Sequence, residues 1–523
     1  MSVELGRPAT SGGERNASTD YRRVFLPLWA AMVALQSGLL IHDVGAAWII
    51  SQQTDSRSIV ALAQTASALP FFLLALPAGA LADMVERRRL AQAAAFVLSA
   101  LSLAAAAASA SGMLSVPLLL FASFVNGCCN AAFTPAWQAM TPELVSGERL
   151  PGALALNSLG INIARSTGPL LSGLLLFLSG PPAAFLFNAL LYLAVGFAFV
   201  MLAPRRPVAA MTESLASAIR GGLAYVRHEP GLQVVSLRAV CFFLFAASFW
   251  ALAPVVVRDW FGGSSMMLGI MVGCVGLGAV LAAQSLKALR SRFDLDAIMF
   301  GAGLAASVAL ALAPLAPTAL AFAFLHIVLG FCWLLCFSSV HLAAQLRLTP
   351  WIRARGTAIY LIAVFGSLAL GSFLTGLLAD HFGMAAAFWI AASGLAIATP
   401  FAWRHLKIAA GAPEKLAASI ILQATAAIAP TGPVLVEIRY TPKPGAVDAA
   451  MKALDRLRAT RLRSGARHWS SAHTGDALVE RIAYDDAAAL KRSAARQLSG
   501  DAVREAELLD LLSAPPDVAL PAA

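Results

Sequence analysis

The stretch Gly79-Ala-Leu-Ala-Asp-Met-Val-Glu-Arg-Arg-Arg-Leu90 decides how this chain is arranged. It joins two long apolar segments and carries three consecutive arginines, Arg87 to Arg89. Because loops rich in positive charge stay on the cytoplasmic side of a bilayer, this loop is expected to be cytoplasmic. Every other segment can then be assigned to one side of the membrane by counting outward from it.

The composition indicates a membrane protein. Of the 523 residues, 59% are hydrophobic and 13% are charged, and the mean hydropathy is +0.74, whereas soluble domains carry about 25% charged residues. The net charge of +10 does not indicate nucleic-acid binding, because most of the arginines lie between apolar segments. The expected surroundings are therefore a lipid bilayer, with no nucleic-acid partner.

Twelve segments are long and apolar enough to cross a bilayer, which takes about 20 apolar residues. Nineteen lysines and arginines flank them on the side of the Arg87 to Arg89 loop, and only Arg57 and Arg258 flank them on the other side. Both termini are therefore predicted to be cytoplasmic. The predicted limits are 24–50, 58–82, 90–111, 115–138, 151–179, 182–203, 237–259, 264–288, 296–313, 318–346, 356–379 and 384–403.

A pattern of three glycines and a phenylalanine occurs twice, with a constant offset of 203 residues. Two six-helix halves related by a parallel repeat are typical of transporters whose substrate site lies between the halves. Close helix packing is an alternative explanation for the glycines, but it does not explain their common offset. The two sets are Gly168, Gly173, Gly180 and Phe185, and Gly371, Gly376, Gly383 and Phe388.

The predicted fold is an all-α membrane protein with twelve transmembrane helices in two six-helix halves, followed by a small cytoplasmic α+β domain of ferredoxin-like type. Alternation at Val434, Val436 and Ile438 and a helical period over 446–463 begin the order strand, helix, strand, strand, helix. The predicted domains are a disordered tail 1–21, the halves 22–203 and 237–407, a cytoplasmic connection 204–236 with an amphipathic helix, a linker 408–432, the soluble domain 433–512 and a tail 513–523.

The opening stretch resembles the signature between the second and third helices of the Major Facilitator Superfamily. Met84 and Glu86 depart from this signature. The carboxylate of Glu86 is a second candidate partner for Arg87, in competition with Asp83. The resemblance implies a gate motif in which Asp83 accepts hydrogen bonds from a neighbouring helix N-terminus and pairs with Arg87. The alternative is that the arginines only set the topology. The matching residues are Gly79, Leu81, Ala82, Asp83, Arg87, Arg88 and Leu90.

Further runs resemble one bacterial branch of this superfamily, the transmembrane secretion effectors, which include enterobactin exporters. The resemblance implies a transporter of the bacterial inner membrane that exports small molecules such as siderophores or drug-like compounds. The runs are His42 to Trp48, Leu69 to Gly79, Pro135 to Ala139, Asn157 to Asn162 with Arg165, Gly168 and Pro169, and, in the soluble domain, Gly432 to Val434, Gly465, Ala466 and Trp469.

Polar side chains inside membrane spans are costly, so they are functional candidates. Asp43 is the candidate for proton coupling, and the alternative is an acid exposed at the outer face. Arg165 either binds an anionic substrate or an acid such as Asp43, or ties its helix to the cytoplasmic side. Asp380 and His381 are predicted to lie in an outer loop. The candidates for the substrate cavity are Gln36, Asn126, Asn130, Asn157, Asn162, His326 and His341.

The predicted function is secondary active transport of a small organic molecule, coupled to protons. No catalytic residue, metal site or cofactor is predicted, because the sequence has no Gly-Lys dipeptide, His-Glu-x-x-His helix or Gly-x-Ser-x-Gly turn. The alternative is a membrane-anchored enzyme or sensor that acts through the C-terminal domain. That alternative depends on His468, Trp469 and His473, in a domain that resembles dimeric monooxygenase-type folds, and dimerisation through this domain is left open.

Overall fold

Long helices make up most of the computed structural model, which describes residues 21–145, 147–204, 225, 227, 229–348, 353–408, 416–417, 433–475, 477–495 and 497–519. Eleven of the helices in this part of the chain are long and apolar enough to cross a membrane. They are α1 (Leu26–Gln53), α2 (Arg57–Met84), α3 (Arg87–Ala110), α4 (Val116–Leu144), α5 (Leu150–Leu202), α6 (Pro230–Asp259), α7 (Ser265–Arg292), α8 (Leu295–Leu312), α9 (Ala319–Arg347), α10 (Arg353–Phe382) and α11 (Met384–His405).

Helix α5 accounts for the difference between these eleven helices and the twelve crossings that the sequence predicts. It contains 53 residues, which at 1.5 Å per residue is about 80 Å, far more than the roughly 30 Å of a hydrocarbon core. Its backbone leaves the helical region at Gly180, where φ is 74°, and Pro181 and Pro182 follow. Only glycine adopts this φ without steric cost. Helix α5 is therefore interrupted at Gly180, and the expected twelve separate helices are not confirmed.

Local sequence explains several other helix boundaries. Helix α4 begins after an extended Ser115 with proline in its first turn, a position where the missing N–H costs nothing. Helix α8 begins at Asp294, whose side chain accepts a hydrogen bond from the Ala297 amide at 2.6 Å. Gly383, with φ 86°, separates α10 from α11. These residues set where the helices begin and end.

The repeated glycines make equivalent contacts in the two halves. A Cβ on Gly168 would meet Ser37 and Leu40 of α1, and a Cβ on Gly371 would meet Leu244 and Ala247 of α6. The partners Ser37 and Leu244, and likewise Leu40 and Ala247, are 207 residues apart. The repeat in the sequence is therefore also a repeat in helix packing.

A second pair of repeated glycines packs one half against the other. Gly173 on α5 approaches Ser265 and Gly269 of α7, with 2.9 Å between its ideal Cβ and the Gly269 Cα. Its counterpart Gly376 on α10 approaches Ser58 at the start of α2. We call these two contacts the seam. Backbones approach closely at the seam because glycine has no side chain, which is how helices pack in lipid.

The chain divides into two compact units. The first comprises residues 1–212, 238–339 and 361–407 and holds most of the helices. The second comprises residues 213–237, 340–360 and 408–523 and includes the C-terminal domain. That domain contains β1 (Leu416–Ala417), β2 (Val434–Tyr440), α12 (Val447–Ser464), β3 (His468–Thr474), β4 (Ala477–Tyr484), α13 (Ala487–Ala495), β5 (Gln497–Leu498), α14 (Ser499–Asp510) and β6 (Asp517–Ala519).

The main sheet of the C-terminal domain is antiparallel with the strand order β3-β4-β2-β6. Strand β2 lies in the middle, pairing Glu437 with Arg481 of β4 on one side and with Ala519 of β6 on the other. Strand β6 lies within residues 513–523, which are predicted from the sequence to form a tail. Alternate residues of β2 are buried, including Val436 and Ile438, and they form a core with α12.

A charged cluster is buried in that core. The Arg461 guanidinium, fully buried, donates to Glu480 at 3.2 Å and to Glu505 at 3.1 Å. Trp469 and Tyr440 donate to the same Glu480 carboxylate at 2.8 and 2.5 Å. Burial alone would lower the pKa of Arg461, but the nearby Glu480 and Glu505 raise it above its ordinary value. The arginine is therefore charged, and its partners compensate for the loss of water.

Arg463, two residues further along α12, fastens the C-terminal domain to the segment that precedes α6. Its guanidinium donates to Glu229 at 2.7 Å, pairs with Asp501 of α14, and lies 5.9 Å from the centre of the Tyr225 ring. Tyr225 in turn donates to the Arg347 carbonyl at 3.1 Å. We call the group Arg463, Glu229, Tyr225 and Asp501 the clasp. Burial would lower the pKa of Arg463, but Asp501 and Glu229 raise it, so the clasp stays charged.

The seam predicts a size limit at Gly269. Gly269→Val is expected to destabilise the protein by about 1–3 kcal/mol, because a Cβ there would lie 2.7 Å from the Pro169 carbonyl oxygen. Gly301→Val is the matched control, since no atom lies within 4 Å of its Cβ position. Thermal unfolding of the two purified variants measures the difference. Equal midpoints would contradict the close contact at the seam.

The clasp predicts a local effect of Glu229→Gln. Losing the charge of Glu229 leaves Arg463 with one carboxylate fewer, so amide hydrogen exchange around Tyr225 and in α12 is expected to rise by about tenfold, the effect of one charged hydrogen bond. Glu507→Gln is the control, because Glu507 is 56% exposed and lies 3.9 Å from Arg456. If the two variants exchange alike, Glu229 does not hold the domain.

Candidate functional site

Asp43 lies at the centre of a polar cluster inside the first half. Its Oδ1 accepts hydrogen bonds from Ser67 Oγ of α2 at 2.7 Å and from Asn126 Nδ2 of α4 at 3.0 Å. The neighbouring His42 is buried, and its Nε2 lies 3.3 Å from Ser123 Oγ. The donors to the carboxyl group, Ser67 and Asn126, are neutral. The setting is largely apolar because all three helices around the cluster are long and apolar enough to cross a membrane. Such a group can gain or lose a proton as its surroundings change.

Arg165 lies on α5 and does not join Asp43. Its guanidinium carbon is 5.8 Å from the centre of the Phe337 ring of α9. It is half-buried. Phe337 belongs to the opposite half, so Arg165 spans the boundary between the halves. The partners of Asp43 are Ser67 and Asn126 instead.

The remaining cavity candidates are dispersed, and only Asn126 joins Asp43. Asn157 donates to Thr141 at 2.8 Å, and Asn162 donates back to the Ser158 carbonyl of its own helix at 2.9 Å. Asn130 accepts from Thr134 at 3.0 Å. Gln36 is half-buried and makes no hydrogen bond with any residue that the structure describes.

The two candidate histidines have different surroundings. His326 is buried between Phe249 and Phe322, at ring distances of 4.0 and 4.8 Å, and hydrogen-bonds the Phe322 carbonyl. His341 is exposed and hydrogen-bonds the Tyr360 hydroxyl. His326 is therefore enclosed by aromatic rings, whereas His341 has an open side.

Asp380 makes the densest set of contacts between the halves. Its carboxylate accepts hydrogen bonds from the backbone amides of Arg57 and Ser58 at 2.7 and 3.0 Å. Ser56 Oγ adds a third at 3.0 Å, and the Arg57 side chain donates to the Ala379 carbonyl at 3.4 Å. A carboxylate at a helix N-terminus is stabilised by free N–H groups and by the helix dipole. Asp380 therefore caps α2 from the end of α10.

Arg258 reinforces the same end of the molecule. From the last turn of α6 its guanidinium donates to the carbonyls of Ser51 and Thr54, the latter at 3.0 Å. We call the end marked by Thr54, Arg57, Arg258 and Asp380 the closed end. A further hydrogen bond between the halves runs from Thr65 of α2 to the Ala369 carbonyl of α10 at 3.1 Å.

The opening motif lies at the opposite end of α2. Arg87 pairs with Glu143 of α4, Arg88 donates to the Val200 carbonyl at 2.6 Å, and Glu86 pairs with Arg89 at 2.9 Å. Glu86 therefore does not take Arg87. The side chain of Asp83 lies outside the described residues, so its pairing with Arg87 stays a prediction.

The prediction of an outer loop at Asp380 and His381 is wrong, because α10 continues to Phe382. The sequence contained a signal for the role of Asp380. Gly376-Leu-Leu-Ala-Asp380 matches Gly79-Ala-Leu-Ala-Asp83 in four of five positions. The aspartate of the first copy is expected to cap a neighbouring helix, and the same expectation applies to Asp380. Ser67 and Ser123 carried no comparable signal, because isolated serines are common in membrane helices.

Comparison with protein families identifies the chain. The family model for transmembrane secretion effectors matches residues 19–517. The chain belongs to the transmembrane secretion effector family. It is therefore a multi-pass membrane transporter of the Major Facilitator type, and members of this family are not enzymes.

Characterised relatives are distant in sequence. The chain is 24% identical to the staphyloferrin A transporter of Staphylococcus aureus over 378 residues, which cover 68% of this chain and 89% of that protein. It is 20% identical to macrolide efflux protein A of Streptococcus pyogenes over 260 residues, which cover 48% of this chain and 63% of that protein. Both matches are to transport proteins.

Solved structures share the fold. A bacterial homolog of the human lysosomal transporter Spinster, in an inward-facing and occupied conformation, matches with a TM-score of 0.60 and 15% identity, over 76% of this chain and 97% of that one. The nucleoside transporter NupG matches with a TM-score of 0.58 and 14% identity, over 73% of this chain and 98% of that one. The helical part of this chain therefore has a transporter fold.

The residues behind the enzyme alternative do not form a common site. Trp469 is buried and donates to Glu480 in the domain core. His468 and His473 are exposed on β3. Within the described residues, no group of three or more His, Cys, Asp or Glu side chains is placed to hold a metal ion.

The cap on α2 predicts the effect of Asp380→Asn. Removing the charge weakens three hydrogen bonds to the helix N-terminus, so the closed end is expected to open in a larger fraction of molecules, by about tenfold or more. Asp55→Asn is the matched control, because that side chain lies at the same end and is fully exposed, so its 3.9 Å contact with Arg258 contributes little.

Spin-label distances measure this opening. Labels at Met113→Cys and Leu315→Cys, both exposed, report on one half each, once the six native cysteines are replaced. A longer distance in Asp380→Asn alone supports the cap. An unchanged distance distribution would show that Asp380 does not hold the halves together.

Proposed function

We propose that this chain is a proton-coupled exporter of small organic molecules, such as siderophores or drug-like compounds, across the bacterial inner membrane. The observation that carries the proposal is Asp43, a carboxyl group held by Ser67 and Asn126 within a transporter fold. Chains that resemble it in sequence are named for a siderophore and for macrolide efflux. Protons are the coupling ion because Asp43 is the acid placed to carry one.

The proposed cycle alternates between two open states. In this structure the halves contact each other at the closed end, through Asp380, Arg258 and the seam. The abundance of Lys and Arg at the other end assigns that end, with both termini, to the cytoplasm. The contacts at the closed end support a cytoplasm-open state, from which an exporter takes its substrate. Rocking of the halves exposes the site to the outer side.

The opening motif forms the second gate in this proposal. Twelve crossings are part of this proposal, and the interruption of α5 at Gly180 supports a turn there. Asp83 at the end of α2 closes the same Gly-x-Leu-Ala-Asp pattern as Asp380 at the end of α10. It caps the N-terminus of α10 when the cytoplasmic side is closed, with Gly79 allowing the approach. Arg87 and Arg88, bound to α4 and α5 here, hold the loop in place.

The C-terminal domain enters the proposal through its fold and the charged face of its sheet. Its element order and its strand order β3-β4-β2-β6 support a ferredoxin-like fold. The face of the sheet opposite α12 carries Leu435, Glu437 and Arg439, and the Arg481 and Arg439 guanidinium groups hold the pKa of Glu437 below its usual range. Dimerisation through the C-terminal domain stays a prediction.

Proton coupling predicts a specific defect in Asp43→Asn. The amide keeps the hydrogen-bonding shape but cannot carry a proton, so uphill transport is expected to fall to the background level while downhill exchange continues. Asp55→Asn, altered in an exposed side chain, is expected to behave as the unmodified protein.

Inside-out vesicles test this directly. With staphyloferrin A and a macrolide as probes, a pH-sensitive dye reports proton release from the vesicle on addition of the substrate. If Asp43→Asn accumulates a probe against its gradient as well as the unmodified chain does, the assignment of Asp43 to coupling is wrong. Accumulation of neither probe by the unmodified chain would exclude them as substrates.

A further inference from the structure

Arg165 lies at the middle depth of its membrane-spanning segment. It is 15 residues from Leu150, where α5 begins, and 15 from Gly180, where α5 is interrupted. At 1.5 Å per residue this places it about 22 Å from either point, near the centre of the bilayer. A charged side chain at that depth is costly, and in membrane proteins such residues face a cavity or the bundle interior.

The side chain of Arg165 points away from lipid. Leu159 and Ile163 of the same helix are 51% and 36% exposed, as expected of residues that face acyl chains. At about 100° per residue, Arg165 points about 120° away from Leu159 and about 160° away from Ile163. Its guanidinium lies over the ring of Phe337 in the other half. Its exposed surface therefore faces the space between the halves.

A row of aromatic rings continues from Phe337 along the second half. Phe337 and Trp333 are one turn apart on α9, and both contact Phe243, at ring distances of 6.3 and 4.8 Å. Trp250 of α6 lies 5.9 Å from Trp333. Phe243 is buried, whereas Trp250, Trp333 and Phe337 are half-buried. The second half thus presents apolar rings beside the charge that the first half supplies.

Arg165 lacks an anionic partner in the described part of the chain. Asp43 is held by Ser67 and Asn126, and Asp380 is bound to the start of α2. The one interaction that Arg165 makes there is with the Phe337 ring. A cation–π contact is weaker than an ion pair at a desolvated site. The guanidinium of Arg165 therefore still has N–H groups that can bind an anion.

We propose that Arg165 and the ring row Trp250, Trp333 and Phe337 bind the substrate, and that the substrate is an organic acid with an aromatic or flat apolar body. The planar guanidinium pairs with a carboxylate through two N–H groups, and the rings pack against the body of the molecule. This inference rests on the proposed transport function and names its class of substrate. Because the charge and the rings belong to different halves, one molecule contacts both.

The experiment compares aryl acids with their neutral amides. Purified full-length chain is titrated with 2-naphthylacetate and 2-naphthylacetamide, and with larger aryl acids and their primary amides, by equilibrium dialysis. The unmodified chain is expected to bind the acids about tenfold or more tightly than the amides. Arg165→Gln is expected to remove this preference, and Arg165→Lys to retain part of it, because lysine keeps the charge but not the fork.

Two further variants separate the charge from the rings. Trp333→Ala is expected to weaken the acid and the amide by the same factor, since both share the aromatic body. Arg292→Gln is the control for net charge, because Arg292 is exposed at the end of α7. It is expected to leave both affinities unchanged.

The outcomes distinguish this inference from the proposed function. The inference is overturned if no pair shows a preference for the acid, or if the preference survives in Arg165→Gln. Proton-driven transport of the vesicle probes by the unmodified chain would still leave the proposed function standing. Loss of the acid preference in Arg165→Gln with unchanged amide binding supports it, and the unchanged amide affinity shows that the variant is folded.

Discussion

The close approach of backbones at the seam is the constraint on which the rest of the molecule depends. In lipid there is no hydrophobic gain from bringing two apolar helices together, so association relies on packing and on hydrogen bonds. Gly173 against Gly269, and Gly376 against Ser58, let backbones touch across the boundary between the halves. Such a contact is tight, yet it involves little side-chain surface. Opening it therefore exposes little apolar area to water, which suits a boundary that must open repeatedly.

The charges inside the helical unit differ in how fully they are satisfied. Asp380 receives two backbone amides and a hydroxyl, which fixes its ionised form and its position. Asp43 receives only a hydroxyl and a side-chain amide, both neutral. The guanidinium of Arg165 lies over the aromatic ring of Phe337. Ranked by how fully their hydrogen-bonding capacity is used, Asp380 comes first and holds structure, whereas Arg165 comes last and still has bonding capacity for a ligand.

The sequence predicts most of the architecture because the bilayer simplifies the problem. Long apolar runs define the helices, the common offset of the glycines reveals the repeat, and alternation from Val434 to Tyr440 identifies a strand that the structure contains. What the sequence misses are contacts made between helices far apart in the chain, such as Ser67 with Asp43 or Arg87 with Glu143. These depend on the rotation of each helix about its axis, which hydropathy does not specify.

Asp380 shows a different kind of limit. The sequence contains a copy of the opening motif at Gly376 to Asp380, and its predicted position on the outer side favours a loop. The same chemistry serves at either side of a membrane, since a helix N-terminus attracts a carboxylate wherever it lies. A motif is therefore better interpreted by what its side chains can bind than by the side on which its family places it.

The clasp also has a consequence for the order in which the protein is made. Glu229 and Arg463 are 234 residues apart, and every apolar helix of the second half is synthesised between them. Since domains fold as they emerge, Glu229 has no partner until the last domain is complete. A chain cut short after α11 has neither Arg463 nor Asp501, so the clasp cannot form in it. The clasp is therefore a contact that only the finished chain can make.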